Sequence, residues 1–567
     1  MTLKTTDVSS TASNTTVAGY LVNRLAALGI DKAFGVPGDY PFPILDAIEA
    51  NTSIDWVGCS NELNASFAAD GYARSKGAAI LSVTYGVGEL SAVNGLMACM
   101  AERVPVFAIV GSPSRRITKL KLIGKHTLGD GVYGNYEPIM QAVSCVHAFI
   151  TPENAVSEIE RVIREALAQS RPAYIVVPQD VQLMPILETP IQGKPLGQVK
   201  RHVSVGKELD AAISLIVDLL KKAKNPVILP SMIVSRYGLV DKLRQFIEKA
   251  QIPFALSPIN KAMLDETHEL YFGLYNGVTS SPKSVKSQVE QADLILDIGG
   301  FVMEDLNSGC WTDSIDADKV IRIEGNTVSI GSKIFLNAYI EDVLDGLLAQ
   351  APVFSGLMQD VEDGLLPLVG KPSDPINSEV FYPRLQRFLK EFDTLVFDAG
   401  ACQEFINPMR LPKGVRCEHI ELWSSIGWAT PATLGSAMAN PDRRAVCVTG
   451  DGSHQMTLNE LATMGFYGLK PVIFVQNNNH YCCEIQLSRK GNSYNNLPHI
   501  EFHKLPEAFG CKGWITKKVT TAQELDDVLA LVQESDSAAY IEVVMPQDEY
   551  EPFSDAILDY MYKVNTP

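Results

Sequence analysis

The sequence predicts an α/β protein made of three doubly wound parallel-sheet domains. Short apolar, β-branched runs alternate with helix-length amphipathic stretches along nearly the whole chain, the rhythm of strand–helix–strand crossovers. Two Pro/Gly-rich linkers, "ETPIQGKPLGQ" and "LPLVGKPSDPINSE", divide that alternation into three blocks. The 567 residues also exceed what one core holds, since single cores stop growing at roughly 250–300 residues.

The elements follow in order. Residues 1–14 are polar and Ser/Thr-rich, which predicts a frayed tail with neither a secretory h-region nor the basic character of a transit peptide. "TTVAGYLVNRLAALGI" carries apolar residues at 17, 21, 22, 25 and 28, helical spacing, with Thr15 or Thr16 to cap it and Gly29 to end it. Strands are predicted at "KAFG", "IDWVGC", "AAILSVTYG", "VPVFAIVG" and "PAYIVVPQD", giving a first domain over 15–187. "NPVILPS", "IPFALSP", "ADLILDIGG" and "KVIRIEG" supply a central domain over 200–352. "TLVFDAG", "RRAVCVTGDG", "PVIFVQNNN" and "AAYIEVVMP" supply a third over 375–567, and "FSDAILDYMYKV" near the end reads as an amphipathic helix.

Bulk properties narrow the function. A hydrophobic share of 46% with 20% charged residues is ordinary globular composition. The net charge of −18 disfavours nucleic acid and anionic membrane, both of which need a basic face, and no stretch is long and apolar enough to span a bilayer. Ten scattered cysteines, none in a CxxC pair, predict reduced thiols and a cytoplasmic protein. The nine histidines show no zinc spacing, and no GxGxxG follows a strand, which sets aside zinc and nicotinamide enzymes.

The chemistry concentrates in "VTGDGSH", Val448–His454. A glycine-rich turn from a buried strand to a helix start offers free N–H groups and the positive end of the helix dipole beside one carboxylate, which suits a phosphate and a metal ion together. The following "MTLNELATMGFYG" is predicted helical, with Thr457 and Glu460 at capping-box spacing. The next strand ends in "NNNHYCCE", and Asn478 lies 27 residues beyond Asp451. One crossover helix and one strand separate them, so both belong at strand C-termini, where such sheets bind ligands. Asp451, Asn478 and a nearby carbonyl make a hard-oxygen set of the kind Mg²⁺ prefers.

With "FGVPGDY", "NELNASFAADGYAR", "TYGVGELSAVNG", "HTLGDG" and "SSIGWATPATLGSA", these motifs resemble the thiamine-diphosphate-dependent enzymes, and within them the 2-oxo acid decarboxylases, from about Thr16 onward. The resemblance implies Mg²⁺ on Asp451, Asn478 and the carbonyl of His480, and thiamine diphosphate held by Gly452 and Ser453 with Thr84, Ala399 and Ser424. It implies that Glu62 bonds the pyrimidine N1′, so that the cofactor's own 4′-nitrogen serves as base, and that Ile426 is the wedge bending the two rings together. The bland reading of Glu62 is a glutamate favoured by a helix N-terminus, and that of Ile426 is plain core.

By the same resemblance Asp39, a His-His pair and Glu484 would protonate the carbanion left when CO2 departs, with carboxylate pKa values raised beside the substrate. This chain departs from the pair: Lys125 stands first and His126 second. Lys125 either is desolvated and relays protons or attracts a second anionic substrate group, or it swings to solvent and impairs protonation, favouring attack on an aldehyde and a 2-hydroxy ketone product. Leu306, Gln403 and Cys483 would line the substrate pocket, and their sizes imply a 2-oxo acid larger than pyruvate, aryl or branched. The expected activity is non-oxidative decarboxylation to an aldehyde by a homo-oligomer, a dimer at minimum and a tetramer as is usual in the group. The alternatives are a carboligase and an inactive cofactor-binding homologue.

Overall fold

The computed structural model describes residues 15–199, 204, 206–304, 307–355, 364–488, 490–547 and 558. The expected N-terminal tail, Leu306 and all of the C-terminal helix but Leu558 lie outside them. The chain divides into two compact units, residues 1–201 and 202–567. The first holds one sheet and the second holds two.

In the first unit six strands, β1 (Lys32–Gly35), β2 (Asp55–Gly58), β3 (Ala79–Thr84), β4 (Val106–Ser112), β5 (Val146–Phe149) and β6 (Ala173–Pro178), form an all-parallel sheet in the order β2-β1-β3-β4-β6-β5. β3 and β4 are buried along their whole length, because crossover helices cover both faces. The first helix runs Val17–Ala26 with Thr16 as its cap, whose Oγ1 accepts from the Gly19 N–H at 3.1 Å. A later helix, Glu62–Lys76, is capped by Asn61 and ends on Gly77 at φ +91°, a conformation that favours glycine. Glu62 is therefore its first residue.

The second unit begins with β7 (Pro226–Pro230), β8 (Phe254–Leu256), β9 (Tyr271–Leu274), β10 (Leu294–Ile298) and β11 (Val320–Ile323), all parallel, to which β12 (Thr327–Ile330) and β13 (Lys333–Leu336) add an antiparallel meander. The central sheet is thus parallel-dominated, as expected of a doubly wound domain, with an antiparallel edge added. β12 and β13 follow β11 through short turns, and a two-residue turn can only join antiparallel neighbours.

The last sheet, β14 (Thr394–Phe397), β15 (Arg416–His419), β16 (Ala445–Gly450), β17 (Val472–Asn477), β18 (Ile515–Val519) and β19 (Ala539–Val544), is again all parallel, in the order β15-β14-β16-β17-β19-β18. Its strand order repeats that of the first sheet. Leu395, Val446, Val448, Phe474 and Ile541 project from one face onto the helices Ser378–Phe388 and Ala522–Gln533, each with essentially no solvent exposure. Burying each such side chain stabilises by about 1.5–3 kcal/mol, so the sheet is a rigid platform for what its strand ends carry. The central and last sheets share the second unit, tied by Lys261, which pairs with Glu266 and donates to the Met409 carbonyl, all three groups buried. No helix among the described residues is long and apolar enough to cross a membrane, and all ten cysteines are free thiols.

Candidate active site

Strand order reverses between β14 and β16, and at such a switch point the connections leave on opposite faces and open a crevice beyond the strand ends. A cavity of about 320 Å³ lies there. Ala399 and Gln403 reach it from the end of β14, Ser424 and Ile426 from the loop before the helix Ala429–Ala439, Asp451, Gly452 and Ser453 from the end of β16, and Asn478, His480, Cys483 and Glu484 from beyond β17.

β16 and β17 are hydrogen-bonded neighbours, with Gly450 opposite Gln476, so Asp451 faces Asn478 as the spacing predicts. Residues Asp451–His454 form one helical turn. The Asp451 carboxylate accepts from the N–H of Gly452 at 2.8 Å, of Asn478 at 3.1 Å and of Asn479 at 2.6 Å. Burial still outweighs these three donors and pushes the carboxyl up to about 6. A buried carboxylate so placed is one that a cation would stabilise. No lysine or arginine among the described residues lines the cavity, and the nearby amide oxygen of Asn478 and carbonyl of His480 are the hard donors a divalent ion takes.

Among the described residues no three His, Cys, Asp or Glu side chains are grouped to hold a metal. The set here is one carboxylate with amide and backbone oxygens. Gly452 supplies a cradle beside it: a Cβ there would sit 2.4 Å from Cε1 of Tyr481. The residues present therefore fit a metal-bound diphosphate.

The loop carrying Ser424 and Ile426 is held by a residue the sequence reading overlooked. Asp398, fully buried at the end of β14, accepts from the N–H groups of Gly427 (3.1 Å) and Ala429 (3.0 Å) and from the Thr449 hydroxyl (2.6 Å). Burial lifts its carboxyl to about 6 as well. The legible signal was an acid closing an otherwise apolar strand, "TLVFD". Thr457 corrects an expectation. The following helix runs only over Glu460–Phe466, with Asn459 at its N-cap position and no side-chain cap, so Thr457 lies outside the capping register, and its hydroxyl donates to the Gly427 carbonyl at 2.7 Å.

The first unit brings its candidates together as well. A Cβ on Gly88 would lie 3.1 Å from both Glu62 Oε1 and Thr84 Cγ2, and one on Gly38 would lie 2.5 Å from Thr84 Cβ. Glycines at 38 and 88 thus let the backbone pack closely against Glu62 and Thr84, where a side chain would crowd them, and the buried Thr84 hydroxyl has no partner among the described residues. His126 adopts φ +62°, its Nδ1 is buried without a partner, and its ring meets Tyr40 edge-on at 5.9 Å.

Lys125 Nζ donates to Asp39 Oδ2 at 2.5 Å and sits 5.5 Å from the Tyr40 ring centre. That ammonium holds Asp39 below the ordinary carboxylate range, contrary to the raised value expected of a proton donor. Lys125 is neither desolvated nor free in solvent: its side chain is 55% exposed and ion-paired.

Comparison with known proteins agrees with this arrangement. Residues 15–133 match the "Thiamine pyrophosphate enzyme, N-terminal TPP binding domain", 213–347 the central domain and 398–543 the C-terminal TPP binding domain. The chain is 34% identical to an alpha-keto-acid decarboxylase of Mycobacterium leprae over 538 residues, 94% of this chain and 93% of the relative. It is 34% identical to an alpha-keto-acid decarboxylase of Mycobacterium tuberculosis (94% and 95% covered) and 35% identical to pyruvate decarboxylase isozyme 3 of Saccharomyces cerevisiae (91% and 92% covered). All three blocks of the sequence are thus accounted for, and the chain belongs to the thiamine pyrophosphate enzyme family, among its alpha-keto-acid decarboxylases.

Proposed function

We propose that the protein decarboxylates a 2-oxo acid larger than pyruvate to the aldehyde, using thiamine diphosphate held through Mg²⁺. The observation that carries this reading is the buried Asp451 carboxylate beside Asn478 over the glycine cradle of Gly452. When bound, thiamine diphosphate supplies the electron sink that makes loss of CO2 feasible.

The chain's own groups do the rest. Asp451, Asn478 and the His480 carbonyl hold the metal, and Gly452 and Ser453 offer N–H groups to the diphosphate at the start of a helical turn. Glu62, the first residue of its helix, would bond the pyrimidine N1′ and share its proton there, and Thr84 and Ala399 are the further candidates for holding the cofactor. Asp398 fixes the loop that presents Ser424 and Ile426. The small Cys483 side chain lining the cavity supports a branched or aryl substrate. Proton delivery falls to His126, Glu484 and the Lys125–Asp39 pair.

That pair also favours a second reading. With Asp39 kept ionised, fewer acids surround the reacting carbon, which would slow protonation there and favour carboligation to a 2-hydroxy ketone. A homo-oligomer, dimer at minimum and tetramer as the fuller assembly, is supported by apolar side chains left exposed on the single chain, among them Ile123 (75%), Leu128 (69%) and Phe466 (82%). The acidic charge supports neither nucleic acid nor membrane as a partner and suits a cytoplasmic enzyme.

The test is CO2 release with product identification from protein plus thiamine diphosphate and Mg²⁺, on pyruvate, a branched-chain oxo acid and phenylpyruvate, with and without added aldehyde. Free aldehyde from a bulky acid is the expected result. Hydroxy ketone as the main product moves the assignment to carboligase, and no turnover by protein that binds the cofactor refutes both. Glu62→Gln should lower kcat at least 100-fold while leaving the fold intact by circular dichroism.

A further inference from the structure

Two side-chain amides in the cavity have polar atoms without a partner among the described residues. Gln403, 1% exposed, has neither Nε2 nor Oε1 hydrogen-bonded. Its backbone is fully engaged, its N–H donating to Gly400 and its carbonyl accepting from Asn407, so only the side chain is unmet. Gln476, 8% exposed, uses its Oε1 to accept from the Tyr382 hydroxyl (2.9 Å) and the Cys402 thiol (3.2 Å), while its Nε2 has no partner. Cys402 is the chain neighbour of Gln403, so that thiol contact ties the two amides to one wall of the cavity both residues line.

Buried polar groups are almost always hydrogen-bonded, and the exceptions demand a cause. An enzyme whose substrate had a purely hydrocarbon tail would gain from an apolar side chain at 403. The charge of the cavity narrows the missing partner further. Apart from Asp451, engaged by the metal in the reading above, its described lining holds the acids Glu404 and Glu484 and no lysine or arginine, so nothing there would pair a second carboxylate on the tail.

We infer that the substrate is a 2-oxo acid whose tail carries a neutral group able both to donate and to accept hydrogen bonds, such as a hydroxyl or a carboxamide, read by Gln403 with Gln476 Nε2 as second donor. This rests on the decarboxylase reading above and names its substrate class. A site built to bond such a group rejects the apolar isostere, because the isostere leaves the buried amide unpaired.

The experiment compares 4-hydroxyphenylpyruvate with 4-methylphenylpyruvate, tails of equal size, on the enzyme loaded with thiamine diphosphate and Mg²⁺. Wild type should favour the hydroxyl compound in kcat/KM by about ten-fold or more, and Gln403→Met should abolish or invert that preference. 2-Oxoglutarate should be turned over less well than either. In parallel, calorimetry measures binding of 3-(4-hydroxyphenyl)propanoate and 3-(4-methylphenyl)propanoate, which cannot decarboxylate, with the same ordering expected.

Equal handling of the two tails by wild type, preference for 2-oxoglutarate, or an unchanged preference in Gln403→Met overturns the inference. Discrimination between the propanoates without turnover of any oxo acid would sink the decarboxylase reading while upholding the pocket's. Turnover of oxo acids without discrimination would do the reverse.

Discussion

His454 should make this protein acid-sensitive through a single buried ring. It closes the helical turn that carries Asp451, Gly452 and Ser453 and is fully buried, with Nδ1 2.7 Å from the Thr430 hydroxyl and Nε2 2.8 Å from the Tyr540 hydroxyl. Either hydroxyl can donate or accept, so protonation does not break these contacts. The cost is desolvation of the cation, which lowers the ring to about 3 from an unfolded value of 6.5.

A depressed histidine contributes stability that is complete above 6.5 and is lost as the pH falls towards the folded value. At about 1.36 kcal/mol per unit, moving from pH 7.5 to 5.0 crosses 1.5 units of that window and costs about 2 kcal/mol. Asp398 works in the opposite sense, since its raised carboxyl favours the fold below 3.8 and loses that contribution as the pH rises through about 6. It is common to any pair of proteins differing only at 454, and cancels.

The perturbation is therefore His454→Gln, whose amide can serve both hydroxyls but does not titrate. Urea unfolding followed by intrinsic fluorescence, at pH 7.5 and 5.0, gives the stability gap between variant and wild type. The gap should move by about 2 kcal/mol in the variant's favour at pH 5.0. A gap constant within ~0.5 kcal/mol would show that the buried ring is not the source, and the desolvation argument would fall.

Two other perturbations follow from the site. Gly452→Ala places a methyl 2.4 Å from the Tyr481 ring, an overlap that the ring must move to relieve. Overpacking of this kind costs about 1–3 kcal/mol, so titration of the dialysed protein with thiamine diphosphate should show affinity weakened roughly 10- to 100-fold. Lys125→Ala removes the main cause of the lowered Asp39 pKa, so that carboxyl rises, read as proton uptake at higher pH in the difference between the acid titrations of variant and wild type. The same variant should melt within a degree or two of wild type, because so exposed an ion pair contributes little to stability.

What the sequence made legible follows the range over which each signal acts. The facing of Asp451 and Asn478 was readable because strand, crossover helix and strand almost force adjacency in a parallel sheet, whatever the side chains between. Capping of the first helix by Thr16 was readable because donor and acceptor lie three residues apart. The Thr457 misreading has the same local form, but the helix starts at Glu460, two residues later than capping by Thr457 needs, while its hydroxyl donates to a carbonyl 30 residues away, a contact invisible until the chain folds. Edge strands such as β18, "ITKKV", were missed because one side faces solvent and their apolar content falls to that of a loop. The Lys125–Asp39 pair spans 86 residues and depends on loop geometry alone. The acids of an isolated motif could suggest their roles there, but not their charge.

The split between β14 and β16 at the switch point has an evolutionary consequence. In the proposed reading the groups for the cofactor's charged end follow β16 and β17, and Gln403, the amide proposed to read the substrate tail, follows β14. Mutations after β14 can retune which acid enters while the machinery after β16 stays intact. A lineage with this division of labour can drift between substrates without passing through an inactive ancestor.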